Sequence, residues 1–384
     1  MTTNEQAQQV PYGELGIISM RGCEEILDRV NNYLMDWRKC AEKGVSTYEI
    51  DIDCPRFSSG EAKGHIQQSV RGHDLFIICD VFNYGVTYKM YNMDVPMSPD
   101  EHFQDLKRII SAASGKARRI TVIMPMLYEG RQHRRISRES LDCALALQEL
   151  RNMGVTNIIT FDAHDPKIQN AVPLIGFDNV YTTYQMIKAL VKTEPDVALD
   201  RDHLMVISPD EGGMSRCIYY SSVLGIDLGM FYKRRDYSRI VKGRNPIISH
   251  EYLGKDIEGL DGIVVDDIIA SGDSMLDIAE KLREKRAHKI FLCATFGLFS
   301  DGLQKFDEAY EKGIIEKVYT TNLIYRTEEL KKRPWYVEVD MSKYIAYIID
   351  TLNYDRSMSG LLNPVNRINK LLERVRQQHG AAKA

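Results

Sequence analysis

Cysteine is scarce and badly placed for cross-linking. The seven residues (Cys23, Cys40, Cys54, Cys79, Cys143, Cys217 and Cys293) are scattered, odd in number and never spaced C-x-x-C. That excludes a disulfide-stapled scaffold and a cysteine zinc site, and predicts reduced thiols. No apolar stretch approaches the roughly 18 residues that a membrane-crossing helix needs, so no membrane association is expected. Positive charge is not in excess: 50 Lys and Arg stand against 54 Asp and Glu, a net charge of −4. Such a balance argues against general affinity for nucleic acid. The opening residues, MTTNEQAQQVPYGELG, carry neither the basic nor the apolar region of a secretion signal, and a cytoplasmic protein is expected. Short repeats and low-complexity tracts are missing as well.

What is present fits a globular protein. Apolar residues make up 44% of the chain and charged residues 27%, enough to build sizeable cores. At about 150 residues per domain, the length suggests two domains. Apolar runs at 75–79 (LFIIC), 120–124 (ITVIM) and 157–161 (NIITF) read as buried strands. Between the last two, residues 137–153 have amphipathic helical spacing, with Ser137 as the cap. The second half repeats the rhythm, with strands at 203–207, 229–232, 262–265 and 289–295 and helices at 214–223 and 274–285. Alternation of this kind predicts an α/β fold of parallel sheets flanked by helices. Ligands of such sheets gather beyond the carboxyl ends of the strands. The polar stretch KTEPDVALDRD at 192–202 marks a boundary, giving an expected N-terminal domain over 14–190 and a C-terminal domain over 200–345. Residues 346–384 are expected to form a helical extension, with Ile368, Leu371, Leu372 and Val375 at helical spacing.

The sharpest local feature is GIVVDDIIASGDS, residues 262–274. An apolar strand ends in Asp266 and Asp267, followed by a small-residue loop of Ala270, Ser271, Gly272, Asp273 and Ser274 and then a helix start. Loop N–H groups, the Ser271 and Ser274 hydroxyls and a helix N-terminus suit a phosphate. Paired acids at a strand end can accept hydrogen bonds from a vicinal diol. The plainer reading is a strand-to-helix turn capped by Ser or Asp. Paired carboxylates are costly to bury without a partner, which favours a ligand.

This segment resembles the phosphoribosyl-binding loop shared by type I phosphoribosyltransferases and ribose-phosphate diphosphokinases (PRPP synthetases). Further segments between Arg56 and Leu362 follow the order of the second family. RFSSGE at 56–61, with VRG at 70–72, resembles its R-F-S-[DN]-x-E…V-R-G region. The resemblance implies that Phe57, Ser59 and Glu61 line an adenine pocket supplied across a subunit interface. MPMLYEGRQHR at 124–134 resembles P-Y-x-x-Y-A-R-Q-D-R, with Arg131 and Gln132 matching ATP contacts and His133 standing where the family has Asp. Arg134, Arg135 and Arg138 crowd the same loop, as a solvated basic stretch or as phosphate forks.

FDAHDPKIQ at 161–169 resembles D-L-H-x-x-Q-I-Q, which makes His164 a magnesium ligand; SPDEGG at 208–213 resembles S-P-D-x-G-G, which makes Asp210 a second one. Lys233, Arg234, Arg235, Arg239, Lys242 and Arg244 crowd one segment of an otherwise acidic chain. A solvated charged loop is the general expectation. The family carries K-R-R here on a mobile loop, which implies that Lys233 and Arg235 close over the triphosphate. SMSGLL at 357–362 resembles S-V-S-x-L-F, part of a regulatory site formed with the equivalents of Ser137, Arg138 and Arg71.

Several departures mark a divergent branch. Ala270 replaces the third acid of D-D-x-x-D-[ST], Asp273 puts a negative charge in the phosphate loop and is expected to point away, and Phe296 replaces the His of T-H-G. Extra sequence lies at 83–99 and 355–384. The resemblance implies two tandem phosphoribosyltransferase-like domains, the N-terminal one facing ATP and the C-terminal one ribose 5-phosphate. It further implies magnesium as cofactor and a homodimer or homohexamer. The expected activity is diphosphate transfer from ATP to C1 of ribose 5-phosphate. The alternatives are a catalytically weak regulatory homologue and a phosphoribosyltransferase that consumes PRPP.

Overall fold

A computed structural model describes residues 10–135, 137–235 and 247–381, without the side chains of 41, 233–235, 247–250 and 378–381. The chain forms two units, each on its own sheet. The first comprises the chain up to Tyr181 with Asn322–Tyr325 and Asp340–Asn363. The five strands of its main sheet, Glu14–Ser19, His73–Ile78, Arg119–Ile123, Asn157–Phe161 and Gly176–Val180, lie parallel and in chain order. Parallel strands are covered on both faces, which is why the inner ones read as nearly continuous apolar runs. Leu75, Ile77, Val122 and Ile158 are fully buried with Leu106, Ile109 and Ile110 of helix Pro99–Ala113. That helix opens with a capping box, in which the Ser98 hydroxyl accepts the Glu101 N–H and the Glu101 carboxylate accepts the Ser98 N–H.

The C-terminal segment completes this unit. Helix Ser342–Asn353 packs on helix Glu24–Trp37, where Trp37 stacks on Tyr347 with ring centroids 4.4 Å apart. At its end the Asn353 side-chain NH2 donates to the Gly13 carbonyl (3.1 Å) and to Asp74 (2.9 Å), and the Asn353 backbone carbonyl accepts the Tyr12 N–H (2.7 Å). Arg119 grips the same Asp74 through two N–H groups, each at 2.7 Å. Asp74 and Asn353 are fully buried, and for the Asp74 carboxylate that burial is tolerable because these partners replace water.

The second unit comprises Thr182–Thr321, Arg326–Val339 and the chain from Pro364. Seven strands run in the order Ile247–Leu253, Asp227–Arg235, Leu204–Ser208, Asp261–Ile269, Ile290–Gly297, Lys317–Thr321 and Tyr336–Val339. Every neighbouring pair is parallel except the first. From Leu204–Ser208 the chain moves outward to one side, then returns to build Asp261–Ile269 on the other. The strand order therefore reverses between those two. Ile207, Val264, Leu292, Val318 and Trp335 centre the core. Residues 346–384 are shared between the units. Helix Val365–Ala381 packs on Thr183–Thr193 and Met214–Leu224, burying Ile368, Leu372 and Val375.

The helix expected over 137–153 spans only Asp142–Asn152. The Ser140 hydroxyl turns to the Asp142 carboxylate (2.5 Å), and the Ser140 carbonyl accepts from the Gln132 amide (3.0 Å). These bonds tie the preceding residues to the loop instead of a helical turn. Among the described residues, no helix is long and apolar enough to cross a membrane.

Candidate functional site

The order reversal in the second unit puts two loops side by side at the carboxyl ends of adjacent strands. One follows Leu204–Ser208. There the Ser208 hydroxyl donates to the Asp210 carbonyl (2.7 Å), and the Asp210 carboxylate accepts the Gly213 N–H (3.1 Å). This self-closed turn leads into helix Met214–Leu224. The other loop follows Asp261–Ile269, which carries Asp266 and Asp267 near its end. Asp267 is buried and Asp266 half-buried, with the Asp267 N–H donated to Asp266 (2.8 Å). Arg216, on the neighbouring helix, reaches within 3.6 Å of Asp266 and 3.8 Å of Asp267. Burial first, and the Asp267 charge second, hold the Asp266 carboxyl well above the usual carboxylate range, while Arg216 opposes the rise.

Beyond the acids the strand turns through Ala270, Ser271 and Gly272 into helix Asp273–Glu284. Gly272 has φ of +90°, and a Cβ there would fall 2.4 Å from Phe306 Cζ. Glycine is thus the one residue that reaches this turn without strain or collision. The Asp273 carboxylate is exposed and held by Lys305 (2.6 Å) and the Ser271 hydroxyl (3.0 Å), and these bonds lower its pKa. Ser274 is exposed in the first turn of the same helix. The negative charge inside the loop is therefore matched by a cation from Gln304–Glu311. Phe296 lies buried opposite Ile268, an apolar wall where the resemblance has a histidine.

In the first unit two loops follow adjacent strands in the same way. After Arg119–Ile123 the chain carries Arg131, exposed, and Gln132, whose amide is committed to the Ser140 carbonyl. After Asn157–Phe161 it passes through buried Asp162, at φ of +42°, to exposed His164. The rings of His133 and His164 stand 5.4 Å apart, and His133 Nε2 lies 3.5 Å from Asp165. The residue that departs from the family pattern is therefore a neighbour of the expected metal ligand.

Phe57, Ser59 and Glu61 occupy a separate tight loop in this unit. The Phe57 N–H donates to the Glu61 carbonyl (2.7 Å) and the Ser59 hydroxyl to the Glu61 carboxylate (2.9 Å), with all three side chains exposed. The backbone of Lys233 and Arg235 ends the strand Asp227–Arg235, opposite His250 and Ile247. Their side chains, and Arg239, Lys242 and Arg244, lie outside the described residues.

The arrangement offers distinct chemistry at each place. The Asp266–Asp267 strand end can accept from paired hydroxyls, and the Gly272 turn can receive an anion on a helix N-terminus. The exposed His164 imidazole and the half-buried Asp210 carboxylate are the two groups that the resemblance assigns to magnesium, and of these the carboxylate is the oxygen donor that a hard cation prefers. Among the described residues, no group of three or more His, Cys, Asp or Glu stands together to hold a metal ion. Magnesium is held through one or two carboxylates and fills its shell with phosphate oxygens and water, so the Asp210 carboxylate fits it. Sequence reasoning missed Arg216 and the His133–His164 contact. A basic residue in the first turn after P-D-x-G-G was the available signal for Arg216.

Two family models match, one described as the N-terminal domain of ribose phosphate pyrophosphokinase (residues 15–154) and one as a phosphoribosyl synthetase-associated domain (residues 238–363). The ribose-phosphate pyrophosphokinase of Vibrio cholerae is 27% identical over 317 residues, covering 82% of this chain and 91% of the relative. That of Thermotoga maritima is 30% identical over 295 residues, covering 75% and 84%. The crystal structure of phosphoribosylpyrophosphate synthetase from Mycobacterium smegmatis matches with a TM-score of 0.71 at 23% identity, over 88% of this chain and 98% of that one. The fold is thus the phosphoribosyltransferase-like α/β arrangement, and with both domain models and full-length relatives in agreement, the chain belongs to the ribose-phosphate pyrophosphokinase family.

Proposed function

We propose that this chain is a magnesium-dependent, cytoplasmic ribose-phosphate diphosphokinase, moving the β,γ-diphosphate of ATP to the C1 hydroxyl of ribose 5-phosphate and releasing AMP. One observation carries the reading: two acids beside Arg216 lie near the carboxyl end of Asp261–Ile269, which runs two residues past them before the Gly272 turn onto a helix N-terminus, at the point where sheet order reverses. In this reading Asp266 and Asp267 accept from the ribose 2- and 3-hydroxyls. Ala270, Ser271, Gly272, Asp273 and Ser274 seat the 5-phosphate, with Lys305 offsetting the charge of Asp273. Phe57 stacks on adenine, Ser59 and Glu61 line its polar edge, and Arg131 and Gln132 contact ATP. The N-terminal domain serves ATP and the C-terminal one ribose 5-phosphate, in a homodimer or homohexamer that shares the base pocket.

The C1 oxygen attacks the β-phosphorus, the bond from that phosphorus to the α,β-bridging oxygen breaks, and AMP leaves with the electron pair. Lys233 and Arg235 stabilise charge on the transferring group, since such transfers rely on positioning and electrostatics more than covalent help. His164 and Asp210 would hold magnesium, which when bound offsets phosphate charge. No residue is assigned as a base for the C1 proton.

The test is AMP release from ATP with ribose 5-phosphate and magnesium. Wild type is expected to form AMP and PRPP in equal amounts, and Lys233→Ala to lose about a hundredfold or more in rate. No AMP above blank from either protein refutes the activity and favours a regulatory homologue acting through oligomerisation, a reading that Ala270 and His133 support. PRPP consumption with a panel of bases, in the absence of ATP, would point to a phosphoribosyltransferase.

A further inference from the structure

The extra sequence after Asn83 folds into a hairpin, Thr87–Met90 against Met93–Pro96, with Tyr91 and Asn92 as its two-residue turn. Both turn residues have positive φ, +49° and +64°, the geometry that a tight hairpin with right-handed strand twist demands. Glycine or asparagine usually occupies such positions, and a bulky tyrosine there is a conformational outlier. The Tyr91 side chain is 70% exposed, so core packing does not hold it in place. What the turn does is donate the Tyr91 N–H to the Ser58 carbonyl, at 3.0 Å.

That bond is joined by a second contact between the hairpin and the loop of residues 57–61, and a third reaches Arg56 at the loop's root. Met90 lies against Gly60, where an added Cβ would fall 2.8 Å from its sulfur, and Gly60 itself stands at φ of +95°. The Tyr88 ring lies 5.0 Å from the Arg56 guanidinium at the loop's root, and its hydroxyl is bonded to the Glu101 carboxylate. Arg56 is fixed in turn by two bonds to Asp105, at 2.9 and 2.8 Å. Phe57 is 57% exposed, so its direction depends on the loop backbone and not on burial of its ring.

We propose that this inserted hairpin is a brace that fixes the base-recognition loop, with Met90 and the Tyr91 N–H as positioning groups for Phe57, Ser59 and Glu61. The inference rests on the reading that those three residues hold the nucleotide base. A loop held before binding loses less freedom on binding, so the brace strengthens recognition of the base and leaves the phosphates untouched.

The experiment compares ATP with inorganic tripolyphosphate, which lacks a base, by calorimetric titration of the full chain with magnesium present. Met90→Ala is expected to weaken ATP about fivefold or more while tripolyphosphate moves by less than about twofold, and Met90→Leu to restore ATP binding. Gly60→Ala, which drives a Cβ into the Met90 sulfur from the other side, is expected to act in the same selective way. Phe57→Ala separates the two layers of the argument. If it weakens ATP and neither Met90→Ala nor Gly60→Ala does, the brace is wrong and the base-loop reading stands. If Phe57→Ala leaves ATP binding unchanged, the base-loop reading fails and the brace with it. Equal loss of ATP and tripolyphosphate in Met90→Ala would mean a general structural role and overturn the proposal.

Discussion

Replacing Gly272 by alanine separates the two constraints on the phosphate turn. The first is conformational: at φ of +90°, an L side chain costs roughly 1–2 kcal/mol in left-handed backbone. The second is steric, because the new Cβ would fall 2.4 and 2.5 Å from two carbons of the Phe306 ring. Phe306 cannot simply turn aside. It is fully buried, stacked on Trp335 with centroids 5.3 Å apart and set edge-on to Phe299 at 5.1 Å. Forcing atoms into such a cluster costs about 1–3 kcal/mol. Together the two predict a loss of about 2–5 kcal/mol, a large share of ordinary domain stability. The chain has two tryptophans, Trp37 and Trp335, so a Trp37→Phe background leaves Trp335 as the sole indole reporting on this cluster. Urea melts followed by its fluorescence give the loss directly. In a Phe306→Leu background the steric part should shrink, leaving about 1–2 kcal/mol. A loss below about 1 kcal/mol in the parent, or the same loss in both backgrounds, would refute the reasoning.

The raised Asp266 carboxyl has a consequence for pH. The folded form keeps a proton that the unfolded chain releases, so its contribution is full below the ordinary carboxylate value of about 4 and is lost as pH rises through the raised folded value. Asp266→Asn should therefore add stability near pH 8 and little near pH 4 in urea melts, and equal gain at both would contradict the shift. Asp74→Ala removes the two-bond partner of Arg119, which keeps Asp355 and the Leu352 carbonyl, and takes one acceptor from the Asn353 amide, and should cost about 2–3 kcal/mol by the same assay. Removing divalent cations with EDTA should abolish AMP release, and added magnesium should restore it; activity that survives chelation would exclude the metal role assigned to His164 and Asp210.

The parts of this protein that could be read from its sequence are those set by a strong local pattern. Strand–helix alternation requires nothing beyond apolar periodicity, and His73–Ile78, Asn157–Phe161 and Leu204–Ser208 lie where their runs point. The acidic strand end was legible because two carboxylates beside a buried run need an explanation. What answers them in the fold, Arg216, is half a hundred residues earlier and meets them only through strand pairing. His133 beside His164 was invisible for the same reason, each loop being tied to its own strand. The helix over Asp142–Asn152 began late because Ser140 had a better partner in Gln132. The hairpin appeared only as extra sequence, since Asn92 alone, preceded by a bulky Tyr91 in place of Asn, Asp or Gly, is a weak turn signal.

The bonds from Asn353 to Gly13 and Asp74 also set a schedule for synthesis. Residues that seal the Asp74–Arg119 pair leave the ribosome only after the whole second unit up to Val339 has been made. At ordinary elongation rates that interval is on the order of ten to forty seconds. During it, the helix Glu24–Trp37 lacks the surface that later covers Trp37. The N-terminal half of a nascent chain thus carries an exposed apolar stripe until its own far end arrives, and this is the stage at which a chaperone has most to hold.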